Sequence, residues 1–128
     1  MRIAWEASAL LPPRTGVGRY AFELARALLT LAPDDELHLV WRSARRRLTG
    51  EDLDALCGAH LHAGRWPPGP VLMRMWSSLG WPLVEELAGP IDLVHGVAAF
   101  LPPARARVRV LTIHDLHFLR HPEQTEPL

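Results

Sequence analysis

The first 31 residues, MRIAWEASALLPPRTGVGRYAFELARALLTL, restrict the fold more than any other stretch of the chain. Ile3, Ala4 and Trp5 form a short apolar run that reads as a buried first strand opening at Arg2. Pro12-Pro13 then imposes a loop, and Gly16-Val17-Gly18 leads into a segment where Tyr20, Leu24, Leu28 and Leu31 recur at helical spacing. That stripe predicts a helix seated on a sheet through those four side chains. A strand, a glycine turn and a helix in this order make half of a nucleotide-type βαβ unit. Arg14, Gly16, Gly18 and Arg19 crowd the point where the helix opens. A helix start carries unpaired N–H groups and partial positive charge, which suit an anion such as phosphate. Glycine there lets the backbone approach such a ligand without a Cβ in the way.

The rest of the chain repeats the alternation. Pro33 and Asp34-Asp35 make a turn, and Glu36–Trp41 (ELHLVW) reads as strand two. The basic run Arg42–Arg47 is either a solvated loop or a phosphate patch. Thr49 is expected to cap a short helix from Glu51, with Leu53, Leu56 and Cys57 inward and Gly58 as its stop. Ala59–Ala63 is a short third strand, and 64–70 (GRWPPGP) is a loop by its Pro and Gly content. Val71–Leu79 (VLMRMWSSL) is apolar almost all round. It reads as a buried or domain-packing helix, or as one facing a membrane or an acceptor through its Met and Trp side chains. Pro82 suits the first turn of a further helix through Leu87. Ile91–Val94 is strand four, ending at His95-Gly96, and Val108–Ile113 is strand five, ending at His114-Asp115. His38, His60 and His62 read as ordinary strand residues.

Strands separated by helical segments predict an α/β fold: a Rossmann-like, three-layer parallel sheet in the order 3-2-1-4-5, with strand one central. Ligands of such sheets sit beyond the carboxyl ends of the strands. The glycine loop, His95 and His114-Asp115 all fall on that edge.

Composition narrows the function classes. The 128 residues make about one domain, and 48% hydrophobic content argues against disorder. A formal net charge of +0 gives no support to a nucleic-acid partner. Cys57 is the single cysteine, which excludes an internal disulfide and a cysteine-based zinc site and fits a reducing cytoplasm. No apolar run approaches the ~20 residues of a membrane span, and Glu6 interrupts the one candidate signal segment. A soluble, cytoplasmic protein is expected.

Three chemistries fit these residues. Gly16-Val17-Gly18-Arg19-Tyr20-Ala21 matches the G-x-G-x-x-G/A dinucleotide fingerprint, with Arg42 at the end of strand two placed for the 2′-phosphate of NADP. The fingerprint normally follows its strand at once, whereas here a loop with Pro12-Pro13 intervenes. His114, Asp115, His117 and His121 form H-D-x-H-x-x-x-H, and imidazole with carboxylate binds divalent ions. The third chemistry comes from a resemblance. The opening M-R-I strand, P-R-T-G-V-G-R-Y, D-L-V-H and T-I-H-D-L-x-F-L-R-H-P-E together resemble the family-4 retaining glycosyltransferases of GT-B architecture, in particular the bacterial enzymes that move sugars from nucleotide sugars to polysaccharide or lipid precursors.

The resemblance implies roles for matching residues. Gly16 and Gly18 would bring backbone amides to the donor diphosphate or the facing acceptor, with Arg19 supporting the phosphate. His114 would contact the transferred sugar and help stabilise charge at the reacting centre, with Asp115 orienting its loop. Arg14 and His95 would lie on the acceptor side. A leaving diphosphate needs positive dipoles and N–H donors, so no metal and no cofactor is implied, the nucleotide sugar being substrate. The resemblance further implies a second Rossmann-like domain that holds most of the nucleotide and a Glu-x7-Glu pair. Residues 1–128 are then expected to be the truncated N-terminal, acceptor-side domain of such an enzyme, inactive by itself, with a possible peripheral contact to the inner face of the membrane.

Overall fold

The computed structural model describes residues 1–41, 47–63, 67, 69–98 and 100–120, without the side chains of 69, 70 and 118. The basic run at 42–46 with Arg42, most of the 64–70 loop, and His121 in the metal-like stretch lie outside the described residues. Five strands form one parallel sheet in the order β3-β2-β1-β4-β5: β1 (Arg2–Glu6), β2 (Glu36–Trp41), β3 (His60–Ala63), β4 (Leu93–Gly96) and β5 (Val108–Leu111). The expected α/β class and strand order are those of the structure. β1 sits at the centre, Trp5 facing Leu39 on one side and His95 on the other in register.

Burial follows from that central place. Side chains of a strand alternate between faces, and both faces of this sheet are covered. Ile3, Trp5, Leu37, Leu39 and Trp41 pack beneath α1 (Gly16–Leu31) through Ala21, Phe22 and Ala25, with Leu56 joining from the end of α2 (Gly50–Ala55). Ala4, Val40 and Val94 face the other way, against Val84 and Ala88 around α4 (Glu85–Ala88) and Ala104 and Ala106 of the following connection. The connection from β4 to β5 covers this face where a crossover helix would normally stand. Its backbone N–H groups at Arg105 and Ala106 donate to the Glu85 carboxylate, and Val84 N–H donates to Pro103 O at 3.1 Å.

Several sequence expectations need correction. α1 does not seat itself through Tyr20, Leu24, Leu28 and Leu31: Tyr20 is 40% exposed and Leu31 81% exposed. Its buried stripe is Gly18, Ala21, Phe22 and Ala25, also at i, i+3, i+4 and i+7, with Leu24 and Leu28 at its flank. Gly18, Ala21 and Ala25 let the helix approach the sheet closely, and Phe22 packs beside them in the core. α2 carries the expected Thr49 cap as a full capping box with Asp52, and Gly58 ends the turn at φ +103°. Of its three expected core residues Leu56 alone is buried, since the inward face runs through Asp52 and Leu56 and leaves Leu53 and Cys57, each one position further round, in solvent. α3 (Gly69–Leu79) buries one stripe, Leu72 and Trp76, and exposes Val71 and Leu79. Strand four runs two residues later than expected and strand five stops at Leu111, so His114 lies three residues beyond it. No helix among the described residues is long and apolar enough to cross a membrane.

Candidate functional site at the carboxyl edge

The chain leaves β1 for β2 on one side and reaches β4 on the other, so the topological switch point lies between β1 and β4. The loops beyond their carboxyl ends hold most of the sequence-derived candidates. Thr15 caps α1, its hydroxyl accepting from Gly18 N–H at 3.5 Å, and the helical ladder begins with Arg19 N–H donating to Thr15 O at 2.9 Å. Gly16 therefore precedes the first helical hydrogen bond. It is exposed, and a Cβ there would meet nothing within 4 Å. Arg19 is exposed and makes no ion pair among the described residues. Gly16 and Arg19 thus stand together at an open, positive helix start.

Gly18 and Arg14 point elsewhere. A Cβ on Gly18 would lie 2.2 Å from Ala9 O, so this glycine exists to let α1 pass over the 3-10 turn at Ser8–Leu10. Arg14 donates through Nε to Leu10 O at 2.8 Å, ion-pairs with Asp52 at 2.5 Å and lies 4.1 Å over the Phe22 ring. Burial works to raise the Asp52 carboxyl, but Arg14 and the Thr49 cap outweigh it and hold the carboxyl below its ordinary value. Arg14 is a clamp between the glycine loop and α2 and is not gathered with His95.

His95 and His114 are gathered, through residues that sequence reasoning assigned otherwise. His95 is buried, packs edge-on against the Trp5 ring at 5.2 Å, and lies with Nε2 2.8 Å from Thr112 Oγ1. Burial pushes its imidazole below the ordinary value, so it is neutral at pH 7. Thr112 Oγ1 also lies 3.4 Å from the Tyr20 hydroxyl, and the Tyr20 ring meets His114 edge-on at 5.0 Å. His114 Nε2 donates to Val97 O at 2.8 Å. A carbonyl can only accept, so this bond fixes the proton on Nε2 and leaves Nδ1 as an acceptor in the neutral ring. Asp115 Oδ1 accepts from His117 N–H at 3.0 Å and shapes the turn into α5 (His117–Arg120). Gly96 completes the edge: a Cβ there would lie 2.0 Å from Phe100 O, so only glycine lets the β4–β5 connection fold back over the strand end.

Tyr20 is the principal residue the sequence reading missed, because its helical spacing matched a packing stripe. Its signal is the aromatic one turn past Gly16, which puts both on one helix face. Glu6 is a second: a buried carboxylate at the end of the central strand, accepting from the Ser8 hydroxyl. The H-D-x-H stretch does not form a metal-sized group among the described residues. Comparison with protein families, with curated proteins and with solved structures finds no match.

Proposed function

We propose that this chain is the acceptor-side domain of a glycosyltransferase, which moves a sugar from a nucleotide-sugar donor to a polysaccharide, lipid or small-molecule acceptor. The observation that carries the reading is the run His95–Thr112–Tyr20–His114, which draws the ends of β4 and β5 and the first turns of α1 to one place on the carboxyl edge. Held by Val97 O and by the Tyr20 ring, His114 offers Nδ1 to a sugar hydroxyl in a fixed direction. Fixed acceptors and dipoles of this kind lower the barrier when charge develops on the transferred sugar. The start of α1, with Gly16 and Arg19, supplies N–H groups and positive charge to a diphosphate.

The flank of β5 supports a larger protein around this domain. Val108, Val110 and Leu111 are exposed, as are Ile113, Leu116 and Leu119 beyond them. In this reading a nucleotide-holding domain completes the site, and exposed Val71, Leu79 and Trp81 provide the peripheral membrane contact. The test is turnover by the full-length protein, followed as nucleoside diphosphate released from nucleotide sugars with saccharide acceptors present. Turnover that needs His114 supports the reading. No turnover of any nucleotide sugar, with micromolar binding of NADP, would replace it with a dinucleotide-binding module.

A further inference from the structure

A second group of histidines stands on the same sheet, away from the carboxyl edge. In a strand, residues two apart share a face, so Glu36 and His38 of β2 project together, as do His60 and His62 of β3. The parallel register sets His38 opposite His60 and Val40 opposite His62. All four side chains converge as a result. The His38 ring stacks on His60 with centroids 4.7 Å apart and on His62 at 5.2 Å. One ligand atom each from Glu36, His38 and His60 lies within 4.8 Å of the other two.

The polar contacts inside this group already resemble a coordination sphere. His38 Nε2 lies 3.3 Å from Glu36 Oε2, while His38 Nδ1 lies 3.0 Å from His62 Nε2. Metal-bound histidines commonly donate their second ring nitrogen to an outer partner that fixes tautomer and orientation. His62 stands where that partner belongs. With Nδ1–H donating to His62, the Nε2 lone pair of His38 faces Glu36, while the His60 ring stacks on the His38 ring and brings a ligand atom within 4.8 Å. Arg2 Nε donates to the same Oε2 of Glu36 at 3.1 Å, and among the described residues Oε1 takes no hydrogen bond. Tetrahedral nitrogen and oxygen ligands about 2.0–2.1 Å from an ion stand roughly 3.4 Å apart. The three atoms must therefore close by at most roughly 1.4 Å, and Glu36 and His60, both exposed, have the freedom to do so. Two imidazoles and one carboxylate suit a borderline divalent ion better than magnesium or calcium, which take oxygen ligands.

We propose that Glu36, His38 and His60 bind a divalent transition ion of the zinc class, with His62 as the outer hydrogen-bond partner of His38. Glu36 and His38 lie in the amino-terminal half of β2, so the ion is not part of the reacting centre proposed above. Its effect is to fasten β3, a four-residue edge strand with mostly exposed side chains, to β2. The proposal is independent of what the carboxyl edge does.

Calorimetric titration of the purified protein with Zn2+ at neutral pH tests it, with Co2+ absorption reporting the ligand set. The expected result is one ion per chain at micromolar affinity and a thermal midpoint that rises by several degrees in excess Zn2+. His60→Ala and Glu36→Gln, both at exposed side chains, should each weaken binding at least ~10-fold, and His62→Ala by ~10-fold or more. A His114→Ala, His117→Ala double variant should bind as the parent does. No binding at ~100 µM Zn2+, or binding that survives His60→Ala and Glu36→Gln together, overturns the assignment. Binding lost in the His114, His117 variant also overturns it, because the ion then sits on the other edge.

Discussion

Two sets of histidines occupy one sheet, and their ring environments are nearly opposite. On the carboxyl edge, His95 and His114 meet a hydroxyl, a backbone carbonyl and aromatic rings. On the β2–β3 face, His38, His60 and His62 meet one another and a carboxylate. Burial pushes His38, His62 and His95 all below the ordinary value near 6.5. Burial thus acts in the same direction on His95 as on His38 and His62, and it is the partner atoms that tell the two sets apart. Neutral acceptors fix an imidazole's tautomer and aim it at a ligand, whereas a carboxylate and further imidazoles gather ligand atoms within reach of one ion.

The largest effect expected from this contrast is catalytic. On the proposed function, His114→Ala in the full-length protein should lower kcat by ~10²-fold, as for a lost transition-state contact worth about 3 kcal/mol, while His60→Ala leaves kcat unchanged. Here His117→Ala, in the same turn, is the control. Equal and small losses for His114 and His117 would dissolve the distinction between the two sets. A collapse of the thermal midpoint in His114→Ala would make that residue structural.

Next in size are the glycines that hold each loop. Gly18→Ala and Gly96→Ala would drive a Cβ to 2.2 and 2.0 Å from backbone oxygens, and each should cost about 2 kcal/mol or more in urea unfolding. Gly16→Ala meets open space and should stay within about 0.5 kcal/mol, yet weaken anion binding if the helix start takes the diphosphate. Unchanged binding would remove Gly16 from the site.

A smaller effect concerns pH. The lowered histidines make the unfolded chain take up protons before the folded one as pH falls below about 6.5. Stability present at neutral pH should decline between about pH 7 and pH 5. Urea midpoints across that range measure the slope, and replacing either His38 or His95 by Gln should flatten it in part. A slope untouched by both changes would assign the acid sensitivity to other groups. The smallest effect is that of Tyr20→Phe. Its hydroxyl lies 3.4 Å from Thr112, a weak bond worth about 0.5 kcal/mol, so the thermal midpoint should hold and kcat fall by only a few-fold. Tyr20→Ala, which also removes the ring beside His114, should cost more in turnover than in stability.

How much was legible varies with the range of the interaction. Glu36–Trp41 was readable to the residue because its apolar run lies between clear turn signals and pairs on both sides. The capping box at Thr49 and the stop at Gly58 are local chemistry and were equally plain. The edge carrying Gly16, His95 and His114 followed from strand order. Tyr20 did not, because two stripes on α1 share the same period, and only the close approach of helix to sheet selects the one with Gly18, Ala21 and Ala25. The grouping of His38, His60 and His62 was hidden for a related reason. Spacing along a chain shows what can converge on one element, whereas E-x-H in β2 and H-x-H in β3 converge through register between two.

What the sequence determined by itself was the alternation of strands and helices, the parallel sheet that follows from it, and the edge where polar loops collect. Periodicity, glycine, proline and capping act within a few residues, so they are written in the chain directly. The tertiary structure decided that Arg14 would pair with Asp52, that Tyr20 would stand beside His114, and that His38 would lie opposite His60. Each of these depends on how closely one element approaches another and in which register, and neither quantity is set until the core is packed.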